Sequence, residues 1–231
     1  MKNKNKKRNP IAAVLVAIGV ISLLGAAAWY AHLLIEDISA ERASAGIVEK
    51  LNVLLDEKTG NTPSNGSQNG GSNRGDETDP YVPEIAPDPK NIEMETMKVD
   101  DTGYIGIITI PSANLDLPVA YDWDYEKLKV SPCRYAGSFY TNDIVICAHD
   151  YGSHFRAIRS LGIGDKVIFK SMDGTRYEYV VTNVETVGPT AIEHMITSRG
   201  ENNAKFWDLT LFTCNVGGMT RCAVRCERVD K

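Results

Sequence analysis

Residues 11–31 are apolar and carry no charge, and no other stretch of the chain reads like them. At 1.5 Å per residue they are long enough to cross a hydrocarbon core about 30 Å thick. The run exceeds the roughly 7–15 residues of a signal-peptide core, so an uncleaved membrane-spanning helix is predicted. Beyond it the pattern turns amphipathic. Ile47, Leu51, Leu54 and Leu55 recur at helical spacing among Glu and Lys, which predicts a stalk helix over residues 32–58. Residues 59–78 are dominated by Gly, Ser, Asn and Thr and have little to bury, and Pro80, Pro83, Pro87 and Pro89 follow. Residues 59–98 are therefore expected to form a linker, flexible and then extended, whose first part spans on the order of 25 Å and lets the rest of the chain range near the membrane.

From residue 99 to residue 231 the texture is short β-prone runs punctuated by turns. Strands are predicted at residues 104–110, 115–119, 144–148, 166–169, 176–181, 184–187, 209–214 and 221–229. The continuous apolar run at 144–148 reads as a strand buried on both faces. Asp173-Gly174 reads as a hairpin turn. Residues 153–161 read as a short helix, with Ser153 as N-cap and Phe155, Ile158 and Leu161 on one face. About eight short strands and few helices indicate an all-β barrel or sandwich.

Charge assigns the two ends of this plan to different places. The net charge is −5, but Lys2, Lys4, Lys6, Lys7 and Arg8 stand ahead of the apolar run, leaving 20 basic against 30 acidic residues behind it. An acidic body has no basic face for phosphates, which argues against nucleic acid. The basic cluster obeys the positive-inside rule and Trp29-Tyr30 form an interfacial pair at the far end. A cytoplasmic segment 1–10, an anchor 11–31 and an extracellular remainder follow.

The candidate chemistry sits at strand ends. Cys214 closes the run Thr210-Leu211-Phe212-Thr213-Cys214, and a hairpin brings Arg221 back beside it. A thiol beside a guanidinium is a setting in which thiolate becomes accessible near neutral pH. Cys133, Cys147, Cys222 and Cys226 read as small buried hydrophobes, and Cys222 and Cys226, about 13 Å apart along one strand face, are too distant for a disulfide. Of the four histidines, His149 directly follows the strand at 144–148, where a group is rigid and reachable, and is preferred over His32, His154 and His194. Arg225 shares the strand parity of Arg221 but lies farther from the turn. No spacing suggests a metal site, and neither metal nor cofactor is expected.

Thr210-Leu211-Phe212-Thr213-Cys214 resembles the T-L-x-T-C signature of sortases, cysteine transpeptidases that attach proteins to Gram-positive cell walls. Ala148-His149 resembles that family's strand-end G-H. Arg221 stands at the place of its arginine, and residues 107–111 with 117–119 resemble its I-x-I-P … L-P-V opening. The resemblance covers residues 99–231 and leaves the subclass unassigned, with class B- or D-like members as candidates. It implies a closed eight-stranded β-barrel with one or two short helices. It also implies a thioester on Cys214, proton transfer by His149, oxyanion stabilisation by Arg221, a substrate-side hydroxyl from Thr213, and a specificity loop over residues 188–206 with Trp207.

The implied partners are secreted proteins with a C-terminal sorting signal and an amine acceptor, either a cell-wall precursor or a pilin lysine. Asp79-Pro80-Tyr81 has the form of the lid of pilin-polymerising members, but the chain stops just after its last strand, so no lid is expected. The alternatives are a catalytically silent β-rich surface binding module and a thiol peptidase (a hydrolase) that releases its product to water.

Overall fold

The computed structural model describes residues 10–60, 93–196 and 207–230. The basic segment 1–9, most of the predicted linker with Asp79-Pro80-Tyr81, and residues 197–206 lie outside the described residues.

Helix α1 (Pro10–Thr59) begins in the apolar run and continues through the amphipathic stretch as one element. Its first half exposes apolar side chains, among them Leu15, Ile21 and Leu24. By length and composition this part can cross a membrane. Its second half buries Ala40, Ser44, Ile47, Val48, Leu51 and Leu55, one stripe at helical spacing, against the outside of a barrel. Leu54, expected on that stripe, is 36% exposed at its edge.

The barrel consists of β2 (Thr102–Ile110), β3 (Leu115–Ala120), β4 (Cys133–Ala136), β5 (Ile144–Cys147), β6 (Lys166–Ser171), β7 (Arg176–Val187), β8 (Leu209–Cys214) and β9 (Arg221–Arg228). They follow the order β2-β3-β4-β5-β8-β9-β7-β6, and β6 pairs back onto β2, which closes the ring. The short strand β1 (Met97–Val99) extends β2 at its start. All pairings are antiparallel except β3–β4 and β5–β8. The closed eight-stranded barrel expected from the sequence is thus present.

Individual elements differ where a long-range partner overrides local pattern. Residues 176–187 form one strand instead of two, with a register shift between Val181 and Asn183 that absorbs the polar interruption. β4 has no signal in the sequence, because Pro132 and Arg134 break its apolar run. The helix expected at 153–161 is a 3₁₀ helix at Phe155–Ser160. Two further short helices, α2 (Tyr125–Leu128) and α3 (Ile192–Ile196), lie on connections.

Alternation divides the core in two. Ile105, Ile108, Ile110, Ile144, Ile146, Leu209, Leu211 and Val224 fill the barrel. Tyr104, Ile107, Val145, Cys147, Phe212 and Ala223 point outward into a second cluster shared with α1. A bulge between Tyr104 and Gly106 lets β2 switch sides, so Ile105 and Ile108 both face inward. Gly106 stands at the closing seam. A Cβ there would lie 2.6 Å from the Lys170 carbonyl and would fall on the Phe169 ring.

The two ends bordering residues 61–92 are held on the same body. Lys58 pairs with Glu95 and donates to the Met172 carbonyl at 3.1 Å, and Lys50 lies 3.7 Å from Asp100. Residues 61–92 themselves, the greater part of the expected linker, lie outside the described residues.

Candidate active site

Three neighbouring strands form the site. β5 and β8 run parallel, Ile144↔Leu209 through Cys147↔Phe212, so their carboxyl ends lie together. The Ala148 N–H donates to the Phe212 carbonyl (3.2 Å), and the Thr213 hydroxyl donates to the Ala148 carbonyl (2.9 Å). These bonds carry the chain from β5 to His149 beside the end of β8. On the other side β9 is antiparallel to β8, with Cys214 directly opposite Arg221. Cys214 therefore ends the central strand, with His149 on one neighbour and Arg221 on the other.

The turn between β8 and β9 is made by Gly217 and Gly218 at φ 79° and 70°, left-handed values open to glycine. Asn215 holds it shut, donating from its backbone N–H to the Thr220 carbonyl (2.9 Å) and from its side chain to the Thr220 hydroxyl (2.8 Å). Arg221 Nη1 donates to the carbonyls of Gly218 (2.8 Å) and Thr220 (3.2 Å), so the turn steadies the guanidinium.

Cys214, His149 and Arg221 line one cleft of about 190 Å³ on the outside of the barrel. Its lining is mainly apolar and includes Trp123, Tyr135, Pro189, Ile192, Met195 and Phe212. Arg221 is the only fixed charge among the described lining residues. A cationic group in apolar surroundings favours an anion, whether a thiolate or an oxyanion. Burial lowers the pKa of His149 below its ordinary value, which favours the neutral ring. The His149 ring rests against Tyr151, with centroids 5.0 Å apart.

The other four thiols are inert by burial. Desolvation pushes Cys133 up to about 12 and raises Cys147, Cys222 and Cys226 as well. Cys214 alone is not fully buried.

Of the two substrate-side groups expected from the sequence, Thr213 lines the cleft and Trp207 is not among its described lining residues. The Thr213 side chain is 1% exposed, and its hydroxyl is used in the β5–β8 link. Trp207 is buried outside the cleft lining, with the Arg225 guanidinium 4.7 Å over its ring. Arg225 itself is fully buried. It donates to Glu185 (2.8 Å), Thr210 Oγ1 (2.9 Å) and the carbonyls of His194 (2.6 Å) and Met195 (3.1 Å). The two arginines share strand parity, and burial separates them, with Arg221 beside the turn left partly exposed. The aromatic wall of Trp123 and Tyr135 had no signal in the sequence, because neither α2 nor β4 has a clear pattern of its own.

Fold and cleft together define a β-barrel whose rim carries a cysteine between a histidine and an arginine. Residues 108–229, more than half of the chain, match the sortase domain, and the chain belongs to the sortase family. No curated protein matches it. Among solved structures it is similar to sortase A from Corynebacterium diphtheriae, at 21% identity and a TM-score of 0.48 over 56% of this chain and 62% of that one. It is also similar to sortase C1 from Streptococcus agalactiae (26%, TM-score 0.48, 58% of this chain and 72% of that one). A third is the Clostridium perfringens sortase D5 transpeptidase (17%, TM-score 0.46, 55% and 79%). The chain thus spans under two thirds of the length of the first of these.

Proposed function

We propose that this sortase is a membrane-anchored cysteine transpeptidase acting on the C-terminal sorting signals of secreted proteins. The observation that supports it best is the β5–β8–β9 register, which sets Cys214 between His149 and Arg221. The Cys214 thiol passes its proton to His149, and its sulfur attacks a peptide carbonyl carbon, forming a C–S bond and moving an electron pair onto the oxygen. Arg221 stabilises that oxyanion. As the intermediate collapses the C–N bond breaks, and the His149 imidazolium donates its proton to the departing amine. A thioester remains. His149, now neutral, takes a proton from the incoming amine, which attacks the thioester and expels the Cys214 thiolate. The apolar walls accept the side chains of an extended peptide and exclude water, favouring an amine acceptor over hydrolysis. The acceptor is a cell-wall precursor or a pilin lysine. In this reading the first half of α1 crosses the bilayer with the basic N-terminal residues inside, and the barrel works outside the cell.

The full chain in lipid nanodiscs, given a library of sorting-signal peptides and an amine, tests this. The expected result is an acyl adduct on Cys214, lost in Cys214→Ala, and an amine-linked product. An adduct found by mass spectrometry on Cys133, Cys147, Cys222 or Cys226, or water-released product alone at saturating amine, overturns it.

A further inference from the structure

The loop that follows His149 is held from below by helix α1. Asp37 lies six residues past the apolar run. Its carboxylate accepts from the backbone N–H of Gly152 (3.0 Å), the backbone N–H of Ser153 (2.9 Å) and the Ser153 hydroxyl (2.7 Å). Arg156 adds an ion pair at 3.8 Å. Burial opposes the charge on Asp37, but the bonds from Ser153 and Gly152 outweigh it and hold the pKa below the ordinary value. The loop is shaped for this contact, since a Cβ on residue 152 would stand 2.8 Å from Asp37 Oδ2.

Two turns farther along α1, Ser44 makes a second hold. Its hydroxyl donates to the Val130 carbonyl and lies 3.3 Å from Nε2 of the fully buried His154. Between these two holds stands Tyr151, its ring 5.0 Å from that of His149 and 5.4 Å from that of His154. The Tyr151 carbonyl accepts from the N–H groups of His154 and Arg156 (both 3.1 Å), and the His149 carbonyl accepts from Phe155 N–H (3.3 Å). Each link from the helix to the imidazole is a direct contact.

We propose that Asp37 is a positioning residue for His149: by fixing Gly152 and Ser153 it sets the Tyr151 ring against which the imidazole rests. The inference rests on the reading of His149 as the acid and base of the reaction. Three charge-assisted bonds onto one short loop make a stiff support, and a displacement of about 1 Å at a proton-transferring group costs on the order of 100-fold in rate. The membrane-proximal helix is thereby a working part of the cleft as well as an anchor.

The test uses the full chain in nanodiscs and a cleavable sorting-signal peptide. Asp37→Ala is expected to lower kcat by about 10- to 100-fold with KM changed by less than about threefold, and to shift the ring NMR signals of His149. Asp37→Asn, which keeps one accepting oxygen, is expected to recover part of the loss. Leu51→Ala, which loosens α1 away from the loop, is expected to lower the melting temperature and leave kcat unchanged. Wild-type kcat in folded Asp37→Ala, with His149→Ala inactive, overturns the inference alone. Equal kcat losses in Asp37→Ala and Leu51→Ala, unrecovered by Asp37→Asn, overturn it in favour of general support. Full activity in His149→Ala would instead remove the histidine from the mechanism.

Discussion

His154 shows how one buried side chain sets a pH limit on the molecule. Burial lowers its pKa to about 4. The Ser44 hydroxyl gives its proton to Val130, so His154 Nε2 donates to Ser44, and the buried Nδ1 has no partner among the described residues. A ring whose folded pKa lies below its unfolded value of about 6.5 binds protons more readily when the chain is unfolded. Stability is therefore complete above pH 6.5 and falls as pH drops toward 4, by about 3 kcal/mol from His154 alone. Urea titrations from pH 7.5 to 4 should show this slope, and His154→Gln should flatten most of it. At this scale the sequence was legible where position decides. Cys214 closes a β-prone run and His149 follows a continuous apolar one, and each run marks a strand. The bond of the Thr213 hydroxyl to Ala148 was not legible, because the two lie 65 residues apart.

Elements were harder to read, since the partner surface settles what a local pattern leaves open. The stripe on α1 suits a stalk as well as a helix docked on a barrel, and the surface that decides between them lies on the barrel's outer face. The two arginines of β9 face the same way. Nearness to the turn sets Arg221 apart in the sequence, whereas the contact of α3 with Arg225 carries no strong pattern there. Arg225 binds the carbonyls of His194 and Met195 at the end of α3, which carries Ile192 and Met195 into the cleft wall. Arg225→Ala leaves these carbonyls and Glu185 without their buried partner, so a loss of about 3–5 kcal/mol is expected in chemical denaturation, with a raised KM. Arg221→Ala should leave denaturation nearly unchanged and lower kcat by roughly 10²- to 10³-fold.

At the scale of the whole molecule, closure of the ring depends on the seam between β2 and β6. Gly106 faces Ser171 there and leaves space for the Phe169 ring. Gly106→Ala forces either the ring or the Lys170 backbone aside, so a drop in soluble yield and a lower, broader thermal transition are expected, checked by calorimetry. Adding any side chain at residues 217 or 218 would disturb one turn, whereas this change disturbs the ring. The class of fold was legible in the spacing of turns and strands. The seam was not, because closure joins strands some 60 residues apart.

On the proposed membrane topology, the continuity of α1 also gives the molecule a fixed elevation and heading. With the apolar run in the bilayer, about 9 Å of helix separates its end from Asp37, and no joint intervenes among the described residues. One residue inserted between Ala31 and Asp37 would lift the cleft by about 1.5 Å and swing it by about 100° around the helix axis. Seven would lift it by about 10 Å and return it almost to its first bearing. Activity toward membrane-bound acceptors in such an insertion series would then rise and fall with the period of the helix, which makes the enzyme a gauge of how high above the lipid its partners present themselves.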